Sequence, residues 1–254
     1  MNDRRALAGA TSGLRQNLCE FPAMFAQGVL VSVADEFHSA TVTLVDLGHL
    51  GHGPFAVTCA HVIAAYRDDW GAGRALVRVG NIRVYPSQLA GFDDEVDLAT
   101  IRLSDEQAGD LVSGDGISVQ FYRPTRWPPE AARQGESVAV GGFPAQWRRK
   151  KPDTREMILG YYGIGATPVT SVSERLFGCR FEREHWVWMS RDSELADLTM
   201  LGGLSGEPVF AERHLHRALV GIVSDFRADW DIMLMSHSHW IQGNGSIRTD
   251  RLWR

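Results

Sequence analysis

Three short stretches of this chain carry side chains that together suit nucleophilic chemistry. Ser205 stands in Gly202-Gly203-Leu204-Ser205-Gly206-Glu207-Pro208-Val209-Phe210, among glycines and just ahead of a strand-like run that a proline opens. Glycine reaches backbone conformations that a β-carbon obstructs, so a tight turn here presents the serine outward. The same turn is able to aim consecutive N–H groups at one point, which is what a developing oxyanion requires. Alone, the segment reads equally as a β-turn with an incidental serine. Thr58-Cys59-Ala60-His61-Val62 follows the apolar run FAVT and precedes IAAY. That pattern predicts a strand entering one helical turn, with an imidazole at the junction placed to reach across a cleft. Asp97-Leu98-Ala99-Thr100-Ile101 sets an aspartate at the opening of an apolar strand. A carboxylate there is costly to bury unless it accepts hydrogen bonds, and an imidazole N–H is a suitable donor. With Asp93, Asp94 and Glu95 nearby, Asp97 alone reads equally as a turn residue.

The elements that must position these groups are short. GVLVSV (28–33), ATVTLV (40–45), FAVT (55–58), ALVRV (75–79), IRVY (82–85) and DLATIRL (97–103) are β-type runs divided by Gly, Pro, Asn and Asp. Residues 113–134 hold Pro124, Pro128 and Pro129 and read as a surface linker. A second series follows: SVAVGGF (137–143), MILGYYGIG (157–165), TPVTSVS (167–173), HWVWM (185–189), EPVF (207–210), ALVGIVS (218–224) and DIMLMS (231–236). Many short strands around a central linker predict two all-β halves. The basic run at 147–156 reads as a solvated loop between strands.

In order and spacing the three segments resemble the trypsin-like (chymotrypsin-fold) serine peptidases. That family carries T-[AS]-A-H, then D-[IL]-A, then G-x-S-G-x-P. Here these stand as Thr58-Cys59-Ala60-His61, Asp97-Leu98-Ala99 and Gly203-Leu204-Ser205-Gly206-Glu207-Pro208. The later family strand G-[IV]-V-S is matched by Gly221-Ile222-Val223-Ser224, and the Gly-Pro pair of bacterial members by Gly142-Phe143-Pro144. The likeness spans residues 25 to 240. An α/β-hydrolase elbow, G-x-S-x-G, is excluded because Glu207 takes the place of its last glycine; subtilisin-like enzymes run Asp, His, Ser.

The resemblance implies an all-β chain of two Greek-key barrels with the active site in the cleft between them. Residues 1–21 would be an arm or short helix, 22–112 the first barrel, 113–134 the linker, and 135–254 the second barrel with a C-terminal segment. It implies Ser205 as nucleophile, His61 as general base and acid, and Asp97 as the group orienting the imidazole. The N–H groups of Gly203 and Ser205 would form the oxyanion hole, and Ser224 would support the aspartate. No cofactor and no metal is implied. Leu204 stands where members activated by cleavage carry an aspartate. Activity independent of N-terminal processing is therefore expected, with room for a regulatory protein partner. Thr199 falls at the base of the specificity pocket, uncharged, and Phe226 at its mouth in place of the usual glycine. Together these point to small or medium apolar side chains rather than Lys or Arg.

Bulk composition narrows the setting. The net charge of −5 gives no reason to expect nucleic acid or an anionic membrane as partner. The N-terminus lacks the apolar core of a secretory signal, and Cys19, Cys59 and Cys179 are too few and odd for a disulfide framework. These features predict a cytoplasmic enzyme acting on protein or peptide. Cys59 reads as a packed thiol. The pairs His214/His216 and His237/His239 read as surface loop histidines rather than metal ligands, since a site needs three or four ligands. Trp186 and Trp188 read as packing. The competing function is a binding or scaffold protein of the same fold that keeps the triad but holds its oxyanion loop collapsed.

Overall fold

The short apolar runs assemble into two antiparallel sheets in the computed structural model. It describes residues 19–34, 36–113, 119–144, 148–150, 157–159, 162–181, 186–188, 202–213 and 216–249. The first sheet holds β1 (Ala26–Val33), β2 (Glu36–Asp46), β3 (Pro54–Thr58), β4 (Ala75–Val79), β5 (Ile82–Val84), β6 (Leu89–Asp93) and β7 (Leu98–Arg102). Its order is β5-β4-β1-β2-β3-β7-β6, with no pairing between β5 and β6, so it curls into a half-barrel.

Among the described residues two further strands, β9 (Arg148–Lys150) and β10 (Met157–Leu159), pair only with each other. The second large sheet holds β8 (Ser137–Gly142), β11 (Tyr162–Val172), β12 (Leu176–Arg180), β13 (Trp186–Trp188), β14 (Pro208–Arg213), β15 (His216–Arg227) and β16 (Ile232–His237). The order β12-β16-β15-β14-β8-β11-β13 is closed by an additional β11–β12 pairing, which makes a complete barrel with β13 outside it. The fold is all-β with two barrel-like sheets, one a closed barrel and one a half-barrel.

Side-chain alternation explains why several strands are apolar on both faces. Ala56 of β3 and Ala99 of β7 point into the half-barrel. Val209 and Ala211 of β14 point into the closed barrel. Their neighbours Phe55, Val57, Leu98 and Phe210 turn the other way and join Leu219 and Ile222 in a third core. That third core draws on both sheets, and Cys59 belongs to it. Phe210 stacks edge-on with Phe21 at 4.9 Å and with Tyr122 at 5.0 Å, so the segments before and after the half-barrel pack against the closed barrel.

Helices are brief: α1 (Ala60–Ala64), α2 (Arg67–Gly71) and α3 (Asp105–Ser113). The sequence reading passed over α3, although Ser104 and Gln107 form its start. The Ser104 Oγ accepts the Gln107 N–H at 3.1 Å, and Gln107 Oε1 accepts the Ser104 N–H at 3.0 Å. It also passed over β6 and β12. The basic run, expected to be loop, contributes Arg148–Lys150 to a strand because Met157–Leu159 supplies a partner edge. Tyr162–Val172 is one long strand where two runs were expected.

The His237/His239 expectation is corrected. His237 ends β16 with its ring buried against Phe177 at 5.0 Å and His239 at 5.0 Å. It is held there because its Nε2 meets the Ser173 carbonyl at 3.1 Å. Burial lowers its pKa from the usual 6.5, against the Ser173 carbonyl bond that raises it, so this is a neutral core histidine. His216 is exposed on β15, and His214 lies outside the described residues.

Candidate active site

The half-barrel delivers an imidazole and a carboxylate to one place. Cys59 caps α1 in an extended conformation, so the chain leaves β3 and turns at once into helix, carrying His61 to the barrel rim. Asp97 sits just before β7 at φ +50°, a left-handed turn that swings its carboxylate toward α1. Its Oδ1 accepts the His61 backbone N–H at 3.0 Å. The His61 ring turns Nδ1 to the same carboxylate, 3.1 Å from Oδ1 and 2.9 Å from Oδ2. With a carboxylate on that side, Nδ1 carries the proton and Nε2 is left as an acceptor.

The closed barrel delivers the hydroxyl. Gly203 at φ +87° and Gly206 at φ +97° bracket Leu204-Ser205 in a turn that L side chains at those two positions would strain. Ser205 Oγ lies 3.1 Å from His61 Nε2 and 3.2 Å from the Ser224 carbonyl. The hydroxyl has one proton, so these two acceptors compete for it. Ser224 contributes again through its own hydroxyl, which donates to Asp97 Oδ2 at 2.7 Å. Asp97 thus receives bonds from both sheets.

Threonines of β2 hold the serine turn from across the cleft. The Thr41 N–H donates to the Ser205 carbonyl at 3.0 Å, and the Thr41 hydroxyl to the Gly203 carbonyl at 3.0 Å. The Thr43 hydroxyl donates to the Gly206 carbonyl at 2.9 Å. Gly206 is pressed so closely on the Thr41 carbonyl that a Cβ there has no space. None of the motif matches pointed to Thr41 or Thr43; the alternating threonines of ATVTLV were the available signal.

Charge follows from these contacts. Burial pushes the Asp97 carboxyl upward, but hydrogen bonds from the His61 ring, the His61 N–H and the Ser224 hydroxyl outweigh it and hold it below the usual 3.8. The His61 imidazolium is favoured above the usual 6.5 by its Asp97 hydrogen bond, against partial burial and with help from the charges of Asp97 and Asp225. Cys59 is a fully buried thiol donating to the Val223 carbonyl at 3.0 Å. Burial, then the Asp97 charge, pushes its pKa well above 9.0, so it stays protonated. Cys59, His61 and Asp97 offer ligand atoms within 4.8 Å of one another. A protonated thiol and an Nδ1–H already committed to a carboxylate are the wrong forms for metal ligation.

The remaining predicted residues divide. Leu204 is buried and Gly203 half-buried within the turn. Phe226 lies against the second core, edge-on to Phe181 at 4.9 Å. Thr199 lies outside the described residues. Beyond Val223, β15 outruns its pairing with β14, so residues 224–227 border the cleft with one edge unmatched among the described strands.

Among solved structures the chain is similar to the M. tuberculosis protease Rv3671c in its active form, at 15% identity and TM-score 0.46 over 89% of this chain and 81% of that one. It is similar to a scabies mite inactivated protease paralogue, at 14% identity and TM-score 0.49 over 88% and 92%. It is also similar to a serine endoprotease from Yersinia pestis, at 13% identity and TM-score 0.48 over 88% of this chain and 61% of that one. No curated protein matches the sequence. Residues 40–222, most of the chain, from within β2 to within β15, match the trypsin-like peptidase domain. The chain therefore belongs to the trypsin-like peptidase family, the serine proteases of the chymotrypsin fold.

Proposed function

We propose that this protein is an active endopeptidase in which Ser205, His61 and Asp97 form the catalytic triad. The observation that carries the proposal is the unbroken line of contacts from Ser205 Oγ to His61 Nε2 at 3.1 Å and from His61 Nδ1 to Asp97 Oδ2 at 2.9 Å. Ser205 Oγ attacks the scissile carbonyl as its proton passes to Nε2, giving a tetrahedral oxyanion and an imidazolium. Asp97 stabilises that imidazolium and keeps Nε2 aimed at the serine. The imidazolium returns the proton to the leaving amine, and an acyl-enzyme remains on Ser205. Water, deprotonated by His61, then releases the acid and restores the hydroxyl. The N–H groups of Gly203 and Ser205 are assigned to the oxyanion, since both belong to the tight turn that carries the Ser205 hydroxyl, with Gly203 at positive φ.

Thr199, Ser224 and Phe226 are assigned to the substrate pocket, with a preference for small or medium apolar side chains. Leu204 has no carboxylate with which to pair a new N-terminus, which supports activity without processing and control by a protein partner instead. Sparse, buried thiols support a cytoplasmic setting: the chain has three cysteines, and Cys19, Cys59 and Cys179 are all buried. No helix among the described residues is long and apolar enough to cross a membrane.

Reaction of the purified protein with a fluorophosphonate probe tests the central proposal. Wild type is expected to be labelled and Ser205→Ala not. Absence of labelling in wild type, with peptide libraries left uncut, would favour the scaffold reading.

A further inference from the structure

One buried acid takes no part in the triad. Glu207 stands two residues past Ser205 and is 0% exposed. Its Oε2 accepts the phenol O–H of Tyr162 at 2.7 Å, and Tyr162, on β11, is also 0% exposed. The Glu207 backbone belongs to the serine turn. Its N–H donates to the Leu204 carbonyl at 3.0 Å, and its carbonyl accepts the Val223 N–H at 2.9 Å. The side chain runs beneath β8, where a Cβ at Gly142 would strike Glu207 Cγ. Burial, then the Glu207 charge, pushes the Tyr162 pKa well above 10.0, so the phenol stays a donor.

A carboxylate is a costly way to fill a core, and a hydrocarbon of the same size packs there without a desolvation penalty. What the carboxylate adds is direction, because its bond to Tyr162 fixes where the serine turn sits relative to β11. Thr41 and Thr43 hold that turn from the half-barrel side. The Glu207–Tyr162 bond holds it from the closed-barrel side. Ser205 lies between the two sets of restraints, with its proton shared between two acceptors 3.1 and 3.2 Å away.

We propose that Glu207 and Tyr162 are positioning residues, a buried carboxylate–phenol pair that sets the register of the serine turn and thereby the reach of Ser205 to His61. This rests on the reading of Ser205 as nucleophile. Small displacements of a nucleophile are expensive in rate, a misplacement of about 1 Å costing up to about a hundredfold. The pair therefore acts on the reaction step and leaves binding of the reagent nearly unchanged.

The experiment measures fluorophosphonate labelling as a maximal inactivation rate, kinact, and an apparent binding constant, KI. Both are normalised to the folded fraction by circular dichroism, with the melting temperature recorded alongside. Tyr162→Phe is expected to lower kinact about tenfold with KI within about twofold of wild type. Glu207→Gln keeps an oxygen to accept the phenol and is expected to hold most of the rate, whereas Glu207→Leu falls with Tyr162→Phe. Combining Tyr162→Phe with Glu207→Gln should cost no more than Tyr162→Phe alone, since one bond is removed once. Wild-type kinact in folded Tyr162→Phe, with only a lower melting temperature, overturns the positioning role and leaves the triad standing. If Tyr162→Phe does not fold, Glu207→Gln and Glu207→Leu decide: equal kinact in the two overturns the proposal, and a loss confined to Glu207→Leu supports it. A wild type that never labels overturns both this proposal and the triad beneath it.

Discussion

The two sheets contribute to the site in different ways. The half-barrel supplies His61 and Asp97 from points 36 residues apart in sequence and joins them by three short contacts, two to the ring and one to the backbone. The closed barrel supplies Ser205, and its contact with His61 is a single 3.1 Å approach with the Ser224 carbonyl competing at 3.2 Å. One junction lies within a sheet and is over-determined. The other spans the cleft and depends on how the two sheets are held together. Imidazole orientation is therefore local and robust, while alignment of the Ser205 hydroxyl is collective and fragile.

Asp97→Asn attacks the robust junction and should have the largest effect. The amide preserves the shape but offers an N–H₂ to the ring, which favours the wrong tautomer and removes the counter-charge of the imidazolium. The peptidase rate is expected to fall about a thousandfold to ten-thousandfold with little change in KM. Stopped assays on any peptide found by library profiling would measure it. A loss below about tenfold would mean that Asp97 does not orient His61.

Thr41→Val addresses the fragile junction at constant volume. It removes the hydroxyl that donates to the Gly203 carbonyl but leaves the Thr41 N–H on the Ser205 carbonyl. A lost hydrogen bond of this kind is worth about 0.5–1.5 kcal/mol, or up to about tenfold in rate. Labelling kinetics should show the fall in the reaction step, with an added Thr43→Val deepening it. Unchanged kinetics in the double variant would show that the serine turn needs no support from the half-barrel.

The same contrast governs what could be read from the chain. Ser205, His61 and Asp97 were legible because short motifs around them have strict local requirements: glycines at positive φ, a strand entering a helical turn, a carboxylate before a strand. The cross-cleft clamp was not, because Thr41 and Thr43 look like any alternating β-strand residues until Gly203 and Gly206 arrive against them. β6 and β12 were missed for a related reason. Each run is interrupted by a glycine, Gly91 in β6 and Gly178 in β12, and each glycine is a point of close approach. A Cβ at Gly91 would lie 2.5 Å from the Gly245 carbonyl, and one at Gly178 would lie 2.8 Å from Ser171 Oγ. Glu207 served the sequence reading only to exclude another fold; its partner Tyr162, 45 residues earlier, is visible only once β11 lies beneath the serine turn.

The smallest effect is electrostatic and comes from Asp225, exposed on the strand edge beside Ser224. Its charge is among the causes that raise the His61 pKa, after the Asp97 hydrogen bond and the Asp97 charge. Arg227 partly offsets it through an ion pair of 2.9 Å, with both side chains largely in water. His61 must be neutral to accept the serine proton, so activity is lost as pH falls through its pKa, and the acid limb lies above 6.5. The stability that the imidazolium gains has the opposite sense: it is full below the unfolded-state value and fades as pH rises through the folded one. Asp97, held low, contributes above its unfolded-state value and loses that contribution as pH falls through the folded one. Asp225→Asn removes one upward push, so the acid limb of the rate profile should move to lower pH. Arg227→Gln frees the Asp225 charge and should move the limb to higher pH. Both displacements should shrink in high salt, since the groups are solvent-exposed and screened, whereas the Asp97 contribution, made through hydrogen bonds, should persist. A limb that shifts equally in low and high salt would place Asp225 in direct contact with the imidazole rather than acting through its field.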